Sequence, residues 1–563
     1  MAMRLAFLDD PARLAAVPRG YGLVAATPAV ELAAERSGHS CTRFEDHIDA
    51  VSVEQDGRQT YDALMAACDA LDGVHGLPAS AHWHFRALKI VVDGFRTRGL
   101  ATVNLVADTQ ATEALLLLRA GSLALDVVRA ALPRLGVEVV VDAARGAPIA
   151  RSAGSSRLRS LAARARRRRR TGSPAVGLVD DLYGMPAIGA ELRARGAGVS
   201  LFVPRPAPVP GSGVDMNVDE LRALFAAGGL DLFDVAEPRL RTVLAEQLPR
   251  SAAAYLGARA ELANSRPDVL LGSVFASPRA KAVAAAARDA GVPSVVSRHG
   301  ELGLRHILLS PLQDLDTVDV ELCWGSIEQA YVERHALREV QTFVVGSPTV
   351  DADEALAPPR TVIRSRLGVG EREQVVLYVP TDVSGDEWVT GNRAPSDSDH
   401  VRHQRSVLAA LVDTRMTPVL KPHPAPDDGA LEAWARDAIP RVRILREERF
   451  AELIHLADAV LLDFPSTSLV QALRGSARIY VVEHPLSVWE PGVREHLAEH
   501  GVDFVDVAGL SARLRADTEL GKLGPLAYPQ EAREPLSASG AGTAAARAAE
   551  AVLEVAATTI GGR

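Results

Sequence analysis

Two short stretches concentrate side chains suited to holding an anion. Residues 419–424 read V-L-K-P-H-P, and residues 457–473 read A-D-A-V-L-L-D-F-P-S-T-S-L-V-Q-A-L. In the first, an apolar strand runs into a loop carrying Lys421 and His423, with Pro422 and Pro424 fixing φ on either side of the imidazole. Lysine is a compact point charge, and histidine can donate to a phosphate oxygen or protonate a leaving group. The plainer reading is a turn whose histidine caps the next helix. In the second, a strand at Ala459–Leu462 leads to Ser466, Thr467 and Ser468 at the start of a helix over Leu469–Arg474. Hydroxyls and main-chain N–H groups there form an anion site, with an ordinary N-cap as the plainer alternative. Both stretches put phosphate-binding groups at the carboxyl end of a strand, where an open α/β sheet takes its ligand. Together they imply a nucleotide mono- or diphosphate site built without a glycine-rich loop.

Two more strand ends add to this set. Leu377–Asp382 reads L-Y-V-P-T-D, so Thr381 is expected to touch donor phosphate or sugar, and the polar run Val383–His400 is a candidate lid or a plain surface loop. Ser297–Glu301 reads S-R-H-G-E and ends the strand Pro293–Ser297. It offers a base, Glu301 or His299, with Arg298 as a cation and Gly300 in the same cleft. An attacking hydroxyl needs its proton removed, which gives a carboxylate or imidazole there a role. The plainer alternative is that both only hydrogen-bond their own loop. Trp324-Gly325 and Gly346–Pro348 read as turns lining the cleft. Asp180-Asp181 and Asp427-Asp428 read as surface pairs, and neither a metal nor a cofactor is expected.

The elements that must position these groups follow from pattern. With 563 residues the chain is too long for one core, and its 47% apolar and 24% charged residues are ordinary for a globular protein. A net charge of -9 argues against nucleic acid as the partner of the whole chain. Cys41, Cys68 and Cys323 lack metal or redox spacing, as in a reducing compartment. No apolar run approaches the ~20 residues of a membrane span and residues 1–10 do not read as a signal peptide, so a cytoplasmic location is expected. The segment 151–174 is small, polar and basic; it reads as a linker, or as a tether of the protein to the inner face of the plasma membrane through Arg157–Arg170, where each basic residue adds ~1 kcal/mol.

Before that segment, strands are expected at Leu23–Ala26, Thr102–Ala107 and the buried run Val137–Val141, with helices at Tyr61–Leu71 and Thr112–Leu132. After it, strands at Ala175–Val179, Val199–Val203, Val269–Leu271, Pro293–Ser297 and Thr342–Val345 alternate with helices at Met185–Arg195 and Pro278–Ala290. Beyond Pro359 come strands at Gln374–Val379, Thr417–Leu420, Arg443–Leu445, Ala459–Leu462 and Ala477–Val482. Such alternation makes parallel sheets. The expected architecture is α/β of the GT-B type: two Rossmann-like doubly wound domains facing a cleft, plus an N-terminal α/β module. The expected units are a module at 1–150 with no chemical motif, the linker at 151–174, an acceptor domain at 175–355, a nucleotide-donor domain at 356–536 and a C-terminal helix at 537–563.

Over residues 265–485 the chain resembles GT-B transferases of the CDP-glycerol glycerophosphotransferase type and the capsule sialyl- and Kdo-transferases that use CMP-sugars. The resemblance rests on R-H-G (298–300), V-G-S-P-T-V-D (345–351), L-Y-V-P-T (377–381), K-P-H-P (421–424) and A-D-A-V-L-L-D-F-P-S-T-S (457–468). It implies donor-phosphate contacts from His423, Ser466 and Thr467, a base at Glu301 or His299, a CMP- or CDP-activated donor, and a cell-surface polysaccharide or glycolipid acceptor. D-F-P-S-T-S in place of D-Y-S-S plus an acidic residue stands closer to sugar transfer than to polyol-phosphate transfer. H-G-E-L-G-L-R (299–305) also resembles the H-x-E-A-G-x-R of UDP-N-acetylglucosamine 2-epimerases, although their glycine-rich donor loop is missing. A polyol-phosphate transferase, an epimerase-like enzyme and a non-catalytic scaffold of a glycan assembly complex remain open alternatives.

Overall fold

The computed structural model describes residues 3–48, 50–75, 82–120, 122–141, 173–209, 218–298, 300, 303–305, 311–381, 396–424, 429–485, 487–524 and 526–561. Three separate parallel sheets organise them. The first is built from β1 (Met3–Leu8), β2 (Tyr21–Ala25), β3 (Cys41–Arg43), β4 (Ala111–Leu117) and β5 (Glu138–Val141), in the order β3-β2-β1-β4-β5. The second contains β6 (Ala175–Leu178) and β7 (Gly198–Leu201). A small antiparallel hairpin, β8 (Ala226–Ala227) and β9 (Leu230–Asp231), follows. The second sheet then adds β10 (Val269–Gly272), β11 (Ser294–Val296), β12 (Val320–Cys323) and β13 (Gln341–Val344), in the order β13-β12-β11-β10-β6-β7. The third holds β14 (Val375–Val379), β15 (Thr417–Leu420), β16 (Arg443–Ile444), β17 (Ala459–Leu462), β18 (Arg478–Val482) and β19 (Asp503–Val505), in the order β16-β15-β14-β17-β18-β19.

Helices cover both faces of the third sheet, so its strands read as unbroken apolar runs. One face packs Leu377, Val460, Leu462 and Val481 against Leu469 and Leu497, and the other packs Val376, Tyr378, Leu461 and Tyr480 against Val407 and Leu514. Its order is that of a full doubly wound sheet, with the strand sequence reversing between β14 and β17. The second and third sheets form two Rossmann-like parallel sheets as the GT-B expectation has them, and the first is the extra N-terminal α/β module. The helix Ala544–Gly561 packs over the second sheet, placing Ala548, Ala549, Val552 and Ala556 against Val176, Leu178 and Ile188. The module's helices share a core with residues further on, for Leu64, Phe85 and Phe95 pack with Phe225, Phe233 and Leu240.

Three expectations for the first 150 residues are corrected. Thr102–Ala107 is not a strand but lies in the helix Phe85–Thr109, where burial of Ala101 and Leu105 overrides local β-propensity. The leucine-rich segment from Thr112 is not one helix. Ala111–Leu117 pairs with β1, and the helix starts only at Leu123, capped by Ser122. Of Val137–Val141 only Val137 is buried: β5 is an edge strand with Val140 and Val141 exposed. The basic run Arg157–Arg170 lies outside the described residues.

Candidate site between the second and third sheets

Register brings the expected motifs of the third sheet side by side. Tyr378 pairs with Leu420 on one flank and Leu461 on the other, so the loops opening at Pro380, Lys421 and Asp463 leave adjacent strands at their carboxyl ends. The reversal of strand order falls between two of these loops, at the crevice where doubly wound sheets bind ligands.

The aspartate closing β17 ties the crevice together. Asp463 is buried, accepts the Tyr378 hydroxyl at 2.8 Å and accepts the Thr381 main-chain N–H at 2.8 Å. Burial raises its pKa, against the Tyr378 hydrogen bond, which lowers it. The Thr381 carbonyl in turn accepts Gln404 Nε2 at 2.9 Å, from the helix Asp397–Ala410. Thr381 is therefore fixed by its main chain and stands half-buried at the crevice. Residues 396–400 belong to the capped start of that helix, which corrects their assignment to the expected lid, and residues 382–395 lie outside the described residues.

Ser466, Thr467 and Ser468 stand half-buried where the loop turns into the helix Thr467–Ala472. That helix has only six residues, so its dipole adds little and the hydroxyls themselves must carry any anion contact. The Ser466 side chain makes no capping bond, so the plain N-cap alternative does not describe it. In K-P-H-P, His423 is exposed and Lys421 is buried. The Lys421 ammonium donates to the Arg446 carbonyl at 2.6 Å, and burial lowers its pKa. This corrects the expectation of a lysine displayed to phosphate: Lys421 anchors the loop that presents His423.

From the second sheet, the R-H-G segment follows β11. Gly300 approaches the third sheet so closely that a Cβ on it would stand 3.2 Å from Thr467 Oγ1. Two motifs 167 residues apart in the sequence thus meet across the cleft. His299 and Glu301 lie outside the described residues. Arg298 is a correction. It is not displayed to the cleft but buried, with Nη1 2.9 Å from Asp314 and Nε 2.6 Å from Glu321 and 4.0 Å from Glu328. Three carboxylates crowd one guanidinium in a dry site, so burial pushes Glu321 up to about 7 and Glu328 up to about 8. Arg298 holds the base of the loop and leaves no charge for a ligand.

Sequence reasoning did not assign several residues that the fold gathers here. The Arg305 guanidinium lies 4.3 Å from the centroid of the Phe464 ring, and its main chain bridges to Trp489 of the third domain. His484, just past β18, has ring centroids of His403 and His400 at 5.0 and 5.8 Å. His403 bonds the Val482 carbonyl through Nε2 at 3.2 Å, so that nitrogen carries its proton. Burial, then the neighbouring His403, pushes His484 down to about 4, leaving a neutral imidazole at physiological pH. The available signal was H-x-x-H at 400–403, which puts two imidazoles on one helix face. Among the described residues no group of three or more His, Cys, Asp or Glu is placed to hold a metal ion.

No protein-family profile and no curated protein matches the chain. Among solved structures it is similar to a Methanocaldococcus jannaschii UDP-GlcNAc 2-epimerase in complex with UDP-GlcNAc and UDP, at 11% identity and a TM-score of 0.41, covering 68% of this chain and 99% of that one. An S. aureus MnaA–UDP structure gives 13% identity and a TM-score of 0.43 over 68% and 97% of the two chains. The Acinetobacter baumannii MurG structure gives 10% and 0.36 over 68% and 99%.

Proposed function

We propose that the protein is a GT-B glycosyltransferase that moves a sugar from a CMP- or CDP-activated donor to a cell-surface polysaccharide or glycolipid acceptor. The observation that carries this reading is the meeting of Gly300 with Thr467, which brings the loop bearing the candidate bases onto the hydroxyl turn at the strand-order reversal. His423 and the hydroxyls of Ser466, Thr467 and Ser468 meet the charge that grows on the departing nucleotide. Donors fixed in advance of that charge usually supply the largest share of catalysis, and removing one costs about 10²–10³ in rate. Thr381 borders the donor, Lys421 sets the His423 loop, and Glu301 or His299 removes the acceptor proton on the strength of the sequence motif. No metal is required in this scheme.

Calorimetric titration with CMP, CDP and UDP tests it. Binding of a cytidine nucleotide that weakens at least about tenfold in His423→Ala is the expected result. Failure of all three to bind, or full affinity in the variant, sinks the donor site. Product analysis separates sugar transfer from epimerisation, which consumes a sugar nucleotide without an acceptor.

A further inference from the structure

The N-terminal module carries no chemical motif, but its helix Pro28–Arg36 grips two helices of the third domain, Asp397–Ala410 and Ala430–Ala438. Glu31 and Glu35 stand four residues apart and share a face of it. Glu31 accepts Arg402 at 2.9 Å, and Glu35 accepts both arms of the Arg405 fork, at 2.7 and 3.2 Å. A bidentate pair of this kind fixes direction as well as distance. Arg405 also lies 5.2 Å from the centroid of the Trp434 ring. Arg36 pairs with Asp437 and donates to the Ala433 carbonyl at 3.1 Å. Arg43, closing β3, adds Asp399 at 2.8 Å. One exposed pair adds little by itself, but these run along a single seam around the buried Arg43.

The opposite side of the helix Asp397–Ala410 reaches the strand ends. Gln404 is fully buried and donates to the Thr381 carbonyl at 2.9 Å. His403 donates through Nε2 to the Val482 carbonyl at 3.2 Å. Thr381 follows β14, Val482 ends β18, and the sheet order places β17 between those two strands. One helix therefore ties the exits of both neighbours of the strand that leads to Ser466–Ser468. Asp463 at the end of β17 completes the tie by accepting the Thr381 main-chain N–H. Val407 and Leu408 pack the same helix into the core of the third sheet. In so close-packed a layer a displacement on the module side is passed on to the strand ends.

We infer that the N-terminal module is a brace for the nucleotide site: it sets the helix Asp397–Ala410, and Gln404 is the positioning residue through which that helix fixes Thr381 beside the hydroxyl turn. The identity of the ligand rests on the functional reading above. The module makes no contact with the nucleotide in this scheme and acts through geometry alone. A displacement of about 1 Å far from the chemistry can cost about 10²-fold in rate, so a brace of this kind has a measurable effect.

Calorimetric titration of the full-length protein with CMP, CDP and UDP tests the brace in charge-reversed variants. Glu35→Arg with Arg36→Glu sets like charges against Arg405 and Asp437 and alters no core residue. It is expected to weaken the nucleotide that binds by about tenfold or more. Adding Arg405→Glu and Asp437→Arg restores opposite charges across the seam and recovers most of that affinity. Gln404→Met keeps the side-chain length, removes the bond to Thr381 and is expected to weaken binding to a similar extent. Combined with the reversal, it adds little further loss, because both act along one path. Thermal melts identify a variant that is simply unfolded, and the charge swap gives a readout that a general loss of stability does not produce. Full affinity in the reversal variant, no recovery on the swap, or fully additive losses with Gln404→Met each overturn the inference and leave the functional reading standing. Absence of all nucleotide binding by the unaltered protein overturns both.

Discussion

Arg298 shows what a single residue's surroundings decide. In sequence it is a cation beside a candidate base; in the fold it neutralises one of three carboxylates, and Glu321 Oε2 and Glu328 Oε1 make no hydrogen bond among the described residues. A site that dry favours the protonated acids, so Glu321 and Glu328 carry protons when folded that they release on unfolding. Their pKa values rise from 4.5 toward about 7 and about 8, so the folded state binds more protons over that interval and stability falls as pH rises through it. Glu45, half-buried with its carboxyl withdrawn from water and pushed up to about 7, adds to the same slope. The expected result is a loss on the order of 1–3 kcal/mol between pH 6.5 and 8.5 in denaturant titrations, and a shallower loss in Glu328→Gln. An unchanged slope in that variant would place the titration elsewhere. Gly300 gives a second expectation: Gly300→Ala pushes a methyl against Thr467 and lowers turnover by about tenfold or more with little change in melting temperature, since the clash is at the cleft and not in a core.

At the scale of elements, the helix Asp397–Ala410 joins the N-terminal module to the candidate site. One side carries Asp399, Arg402 and Arg405, which pair with Arg43 at 2.8 Å, Glu31 at 2.9 Å and Glu35 at 2.7 Å in the module. The other carries His400, His403 and Gln404 toward the strand ends. Arg43 is buried at the centre of this seam and also pairs with Asp46. Arg43→Ala removes the ion pair of Asp399, which keeps only the Ser396 hydroxyl, and is expected to cost about 2 kcal/mol in a urea melt, discounted because Asp399 is one-third exposed, and to weaken nucleotide binding through a shifted helix. Most strands of the second and third sheets were legible in sequence because they are short apolar runs bounded by turn residues. The central ones β10, β11, β14, β15 and β17 are largely buried, whereas Val320–Cys323 and Asp503–Val505 were not anticipated. Thr102–Ala107 and Ala111–Leu117 were not, since long-range pairing with β1 and packing of the helix Phe85–Thr109 decided them. The hydroxyl turn and K-P-H-P were legible as chemistry. What could not be read was which cations are spent inside the fold, as Lys421 and Arg298 are, because that depends on partners 16 to 30 residues away.

At the scale of the molecule, one device recurs and one seam governs the cleft. In the first sheet Asp9 accepts the Arg119 main-chain N–H at 3.0 Å, and in the second Asp180 accepts that of Ser273 at 2.8 Å, as Asp463 does that of Thr381 in the third. Each bond spans the strand-order reversal of its own sheet. The second and third domains then meet along two seams. The chain returns after the third domain, where Pro535 accepts from Ile327 and Ala538 donates to Trp324, and continues into the helix Ala544–Gly561 on the second sheet. The other seam is Trp489-Glu490: the Glu490 amide bonds Leu304, and its buried carboxylate receives Arg334 and, at 3.2 Å, His335. Glu490→Ala removes only the carboxylate. It is expected to cost about 1–2 kcal/mol, since Arg334 is half in solvent, and to leave the returning helix in place. Hydrogen exchange should then rise at the amides of Arg305 and Glu490 and stay unchanged over Ala544–Gly561. Unchanged exchange at Glu490 would show that the main-chain bridge alone holds the domains at this edge.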